Sequence, residues 1–194
     1  MQRQVAAYIP TDWGNFNVYA YANSADEPVP HLLLAHENMD VSKPVLLRIH
    51  SECMTGDMFH SRRCDCGEQL EKALEMAAEK GGAVVYLRQE GRGIGLINKL
   101  KAYNLQDKGL NTADANTHLG FEVDARQYDL AVEMMKDLGI RRIHLLTNNP
   151  LKIEAIENSE IEIVSRVPLV IEPKEENEFY LKTKREVMGH LLNS

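Results

Sequence analysis

The chain has 194 residues, enough for one domain with a substantial core. Its 44% hydrophobic and 26% charged residues are ordinary for a soluble globular protein, and no apolar run approaches the roughly 20 residues that cross a bilayer. A net charge of −7 argues against generic nucleic-acid binding, so any anionic ligand must be held by a local cluster of cations. The start, Met1-Gln2-Arg3-Gln4-Val5, has no apolar secretory region. Three cysteines, an odd number, argue against a disulfide framework and leave thiols for a metal or for catalysis. A cytoplasmic location without membrane or nucleic-acid partners is expected.

In chain order, Val5 to Ile9, Gly14 to Tyr21, His31 to His36 and Val45 to His50 read as strands separated by turn signals. The period then changes. Leu70, Ala73, Leu74 and Ala77 fall on one face of a helix over Gly67–Lys80 that ends at Gly81-Gly82. Ala83 to Leu87 is a short buried strand. Gly93 to Lys108 reads as helix, with Ile94, Ile97, Leu100 and Tyr103 roughly aligned. Leu130, Ala131, Met134, Met135 and Leu138 define another helix, ended by Gly139. Ile143 to Leu146 and Ile161 to Val164 are strands around a short helix after Pro150, and Asn177–Leu191 is a closing helix. This order predicts an α/β fold: a mixed sheet flanked by helices in three layers, its strand-rich, antiparallel part at the N-terminus. No repeat or linker divides the chain, so residues 1–194 are expected to form a single domain.

Cys53, Cys64 and Cys66 carry the first chemical signal. Structural zinc sites close with four protein ligands, whereas catalytic ones keep a position for water. There is no fourth cysteine, and His50 or His60 could complete the shell; if neither does, three thiolates leave an open, hydrolytic position. The alternative is that the cysteines are small buried hydrophobes, but Ser61-Arg62-Arg63 makes their setting polar. Three thiolates on a dication make the bound water less acidic than in a three-histidine site, so Ser51, Glu52 and Asp57 are candidate helpers unless they form a solvated turn.

Arg88-Gln89-Glu90-Gly91-Arg92-Gly93-Ile94-Gly95 follows a strand and opens a helix, a place where free backbone N–H groups meet anions. Its spacing matches neither the dinucleotide fingerprint nor a Walker loop. Glu90 could accept a guanine edge or simply lie at the surface. Thr147-Asn148-Asn149-Pro150-Leu151-Lys152 ends another strand and suits either a phosphate or an Asn-Pro helix start. Asp124-Ala125-Arg126 opens a helix in which Asp124 could be an N-cap.

Together, Arg48-Ile49-His50-Ser51-Glu52-Cys53-Met54-Thr55-Gly56-Asp57, Arg63 through Leu70, Arg88 through Gly95, Asn116 through Phe121, Leu145 through Pro150 and Met188-Gly189-His190-Leu191-Leu192 resemble GTP cyclohydrolase II in collinear order from about Ile9 onward. No metal or nucleotide position departs from the pattern; substitutions such as Arg62 and Gly93 fall where variation is expected. The resemblance implies zinc on Cys53, Cys64 and Cys66. It implies GTP contacts from Arg48, Ile49, His50, Ser51, Glu52, Gln69, Glu90, Gly91, Arg92, Thr112, Thr147 and Lys152. It also implies Asp124 as proton acceptor, Arg126 as nucleophile toward the α-phosphorus, and Tyr103 near the reacting base. Magnesium with the triphosphate and a homodimer are further implications. The implied reaction opens the imidazole ring of GTP at C8, releases formate and pyrophosphate, and begins riboflavin synthesis; the enzyme is expected to be monofunctional. A guanidinium is almost always protonated, so Arg126 is expected to be essential whether as nucleophile or as charge stabiliser. The rival readings are a type I cyclohydrolase, which keeps the triphosphate, and a zinc-stabilised nucleotide-binding regulatory module without turnover.

Overall fold

The computed structural model describes residues 1–191; Leu192, the last residue of the C-terminal motif, lies outside the described residues. Seven strands form one sheet: β1 (Gln2–Thr11), β2 (Gly14–Ala22), β3 (His31–His36), β4 (Val45–Ser51), β5 (Ala83–Leu87), β6 (Arg142–Leu146) and β7 (Glu162–Val167). Their spatial order is β1-β2-β3-β5-β4-β6-β7. The first three strands and β5 pair antiparallel, while β5, β4, β6 and β7 run parallel. The mixed sheet with an antiparallel N-terminal part therefore matches the expected class.

Helices α1 (Met54–Asp57), α2 (Cys66–Lys80), α3 (Gly95–Gln106), α4 (Thr112–His118), α5 (Asp129–Asp137), α6 (Pro150–Glu157) and α7 (Glu178–Glu186) complete the described elements. The alternation of β4 explains the layers. Val45, Leu47 and Ile49 enter a cluster with Ala131, Met134 and Met135 of α5 and Ile156 of α6. Leu46, on the opposite face, packs with Ala73, Leu74 and Ala77 of α2, and Arg48 and His50 share its parity. Past Leu46, the strand thus keeps its apolar residues on one face and turns the Arg48 and His50 side chains toward the site.

Four sequence readings are corrected by the structure. The glycine motif first makes a short 3₁₀ turn over Glu90–Gly93, so α3 begins at Gly95. Its apolar stripe is not its buried face: Ile97 is 72% and Leu100 47% exposed, whereas Lys99 and Ala102 are buried. Asp124 does not open a helix, because residues 122–128 are irregular and α5 starts with Tyr128 as its N-cap. The closing helix is also shorter than its periodicity suggests, ending at Glu186.

Candidate active site

After β4 the chain leads into Glu52-Cys53, after β5 into Arg88–Gly93, and after β6 into Thr147–Lys152. These three strands are neighbours, with β4 central, and the chain goes from β4 to one side (β5) before returning to the other (β6). The carboxyl end of β4 is thus a topological switch point, where open α/β sheets form their ligand crevice. A cavity opens there; its void, mouth included, measures about 970 Å³. All the expected site residues line it except Ile49 and Asp124. Strand alternation turns the Ile49 side chain into the core, and only its carbonyl bears on the site, accepting from Lys152 Nζ at 2.8 Å. Asp124 stands behind Arg126.

The three cysteine sulfurs lie within 4.8 Å of one another, with Cys53 Sγ and Cys64 Sγ 3.6 Å apart. Tetrahedral zinc with bonds near 2.3 Å places sulfurs about 3.8 Å apart, so the trio is compatible with that ion. Close backbone approach makes this possible. A Cβ on Gly67, at the start of α2, would stand 2.3 Å from the Gly56 carbonyl oxygen in α1. Bonds among the sulfurs hold the Cys53 thiol far below its usual range, while the same bonds push Cys64 up to about 11 and raise Cys66. Three thiols so crowded disfavour a second thiolate beside the first.

Neither histidine completes a fourth position. His60 is exposed and pairs with Glu71, and His50 Nε2 lies 3.1 Å from both oxygens of Asp57. Asp57 also accepts from Tyr86 Oη at 2.8 Å and from the Cys53 amide at 2.9 Å. It is a buried brace of the cysteine turn rather than a solvated residue or a free base. Glu52 pairs with Arg88, and Ser51 Oγ accepts from Gln89. Glu90 is likewise engaged: Oε2 accepts from the Met54 amide at 2.6 Å, and Oε1 from Lys99 at 2.8 Å and the Gly91 amide at 2.7 Å. It ties the glycine turn to the cysteine turn.

Cations crowd the rest of the cavity. Arg48 donates to the Leu146 carbonyl and to Gln69, which donates in turn to Asp65, and Asp65 takes Lys184 at 2.6 Å. Burial first, then Arg48, Arg126 and Lys184, drive the Lys152 ammonium well below its ordinary range. Burial first, then Lys184, Arg126, Lys152 and Arg92, push His190 down to about 3. Both Nη atoms of Arg92 are buried without a partner, on a residue whose φ is +62°. Left-handed backbone in a non-glycine residue and unpaired buried donors concentrate at ligand sites. Such a surplus of buried positive charge is a receptacle for an anion.

Arg126 Nε donates to Asp124 Oδ1 at 2.8 Å, and Nη2 bonds the second oxygen. Burial alone would lower the Arg126 guanidinium and raise the Asp124 carboxyl; the paired bonds override it in both. The pair is therefore firmly ionic. Tyr103 lies under the Lys99 ammonium, 3.5 Å from Thr55 Oγ1, and burial raises its hydroxyl so that it stays protonated. Thr147 is buried, and Asn149 caps α6 through Leu151, so the Asn-Pro helix start and the cavity wall are one feature.

The sequence profile described as GTP cyclohydrolase II matches residues 2–168. The chain belongs to the GTP cyclohydrolase II family. Among curated relatives, the Riboflavin biosynthesis protein RibBA of Chlorobium phaeovibrioides is 50% identical over 194 residues, covering 100% of this chain and 47% of its own length. RibBA of Bacillus cereus is 50% identical over 192 residues, covering 98% and 48%. The chain spans about half the length of the curated relatives it matches. A crystal structure of RibBX, a two domain 3,4-dihydroxy-2-butanone 4-phosphate synthase from A. baumannii, aligns with TM-score 0.48 at 18% identity over 88% of this chain and 40% of that one, a likeness that carries no argument. Residues beyond the matched span also shape the GTP cyclohydrolase II cavity. Tyr180, Lys184 and His190 line it from α7 and the segment that follows. Like Lys99, Tyr180 and Lys184 carried no local signal, since only the tertiary fold buries them; His190 lay within the C-terminal motif but was given no site role.

Proposed function

We propose that this chain hydrolyses GTP, opening the imidazole ring at C8 and releasing formate and pyrophosphate. The product would be 2,5-diamino-6-(5-phosphoribosylamino)pyrimidin-4(3H)-one, the first intermediate of riboflavin synthesis. The observation that carries the reading is one cavity lined by both a three-cysteine cluster compatible with zinc and a set of cations in which Arg92 and Lys152 lack a carboxylate partner among the described residues, in a chain of this family. Bound to Cys53, Cys64 and Cys66, zinc would supply a Lewis acid and an activated water at the guanine ring.

The remaining work falls to side chains. Arg92, with two free donors, and Lys152, anchored on the Ile49 carbonyl, are placed to take phosphate oxygens. The Thr147 hydroxyl and the Arg48–Gln69 pair add polar contacts along the wall. Magnesium would accompany the triphosphate and offset part of its charge. Asp124 holds Arg126 in a fork that keeps its guanidinium protonated, which favours a role in stabilising charge on the α-phosphorus over attack on it. Tyr103, protonated beside the cysteines, can donate to the opening base. Engagement of both Glu90 oxygens within the protein supports an indirect part for that residue, holding the cavity wall. The continuous seven-stranded sheet among the described residues supports a single catalytic domain.

Phosphorus NMR of the products tests the reading. It predicts one inorganic pyrophosphate for each GTP consumed; a product that keeps its triphosphate, as in a type I reaction, would refute it.

A further inference from the structure

Lys99 is a lysine that its own helix should have exposed. It is only 9% exposed, and its ammonium lies 3.0 Å from Cys53 Sγ and 2.8 Å from Glu90 Oε1. The site is built to receive it. Gly91 has φ +62°, and a Cβ there would stand 3.1 Å from Lys99 Cβ. Glu90 is itself fixed by the Met54 and Gly91 amides, so the carboxylate that holds the ammonium cannot swing away. A buried ammonium costs several kcal/mol unless it is paired and hydrogen-bonded on more than one side, and here its partners are a carboxylate and a sulfur.

Three thiolates on a dication leave one net negative charge and strong sulfur donation, which blunts the acidity of anything the ion activates. Lys99 stands where it can offset both. We propose that Lys99 is a positioning residue of the metal centre, its N–H···S bond drawing charge from the Cys53 thiolate and fixing that sulfur's orientation, with Glu90 as the group that aims it. The inference rests on the reading of the three cysteines as zinc ligands. Partners behind metal ligands commonly change affinity or activity by about 10–100-fold when removed.

The test compares wild type, Lys99→Met and Lys99→Arg, each loaded with cobalt(II) in place of zinc and with zinc for turnover. A hydrogen bond from a cation stabilises the sulfur lone pair, so its loss lowers the energy of thiolate-to-cobalt charge transfer. The band should move to longer wavelength in Lys99→Met and return toward wild type in Lys99→Arg. With zinc, kcat should fall about 10–100-fold in Lys99→Met with KM for GTP little changed. A cobalt-loaded Lys99→Met whose band does not move overturns the proposal. Wild type that takes up no cobalt, or shows no thiolate band, overturns the zinc reading itself. If Lys99→Met fails to fold because Glu90 is left unpaired, Lys99→Met with Glu90→Gln is read by the same band.

Discussion

At the scale of single residues, the cavity is a problem of unbalanced charge. Arg126 has its counter-ion in Asp124, and Lys184 has Asp65, but Arg92 and Lys152 have no carboxylate partner among the described residues. On the proposed reading, replacing Arg126 by Ala would remove charge stabilisation at phosphorus, and it leaves Asp124 as an unpaired buried anion; pyrophosphate release should fall by about 10²–10³-fold. Arg126→Lys keeps the charge but loses the fork, and recovery to near wild-type rate would contradict a geometric role. His190 reports the same imbalance through pH. Its folded pKa, about 3, lies below the unfolded value near 6.5, so its stabilising contribution is present above pH 6.5 and is lost as pH falls toward 3. The melting temperature should therefore drop less between pH 7 and pH 5 in His190→Gln than in wild type. Pyrophosphate, by neutralising Lys184, Arg126, Lys152 and Arg92, should reduce the wild-type drop; equal losses in all three samples would contradict this. Part of the residue pattern was legible beforehand. Cysteine spacing marked the trio, but the sequence reading grouped Ile49 with Arg48 and His50, whereas alternation in β4 turns the Ile49 side chain into the core. Lys99 was illegible because what buries it, Gly91, Glu90 and Cys53, is brought to it only by the fold.

At the scale of elements, the cysteine cluster depends on how closely α1 meets the start of α2. Gly67→Ala would drive a Cβ into the Gly56 carbonyl, forcing the ligand-bearing turns apart. We expect a loss of about 1–3 kcal/mol in urea unfolding of the apoprotein, together with weakened zinc retention; wild-type stability and metal content in the variant would show that the turns can shift freely. Helices with a strong two-sided pattern were readable: α2 and α5 each bury the face their periodicity selects. Helix α3 was misread because its apolar residues Ile97 and Leu100 face outward while a lysine faces the site. Helix α4 and the turn α1 are too short to leave a periodic trace, and the loop before α5 follows the Asp124–Arg126 pair rather than any local propensity.

At the scale of the whole molecule, the order β5-β4-β6 places three strand ends side by side, and each end carries one of the motifs that stand far apart in sequence. Composition and strand–helix order were sufficient for a mixed three-layer sheet. The insertion of β5 between β3 and β4 was not readable, because it is fixed by the crossover through α2 and not by anything within β5. No helix among the described residues is long and apolar enough to cross a membrane. The central claim is that this architecture joins a cysteine metal centre to a triphosphate receptacle so that one chain opens the guanine ring. Formate measured per GTP consumed, with magnesium and with protein carrying one zinc per chain, tests that claim most directly. The account predicts one formate for each GTP; no formate from fully zinc-loaded protein would contradict it.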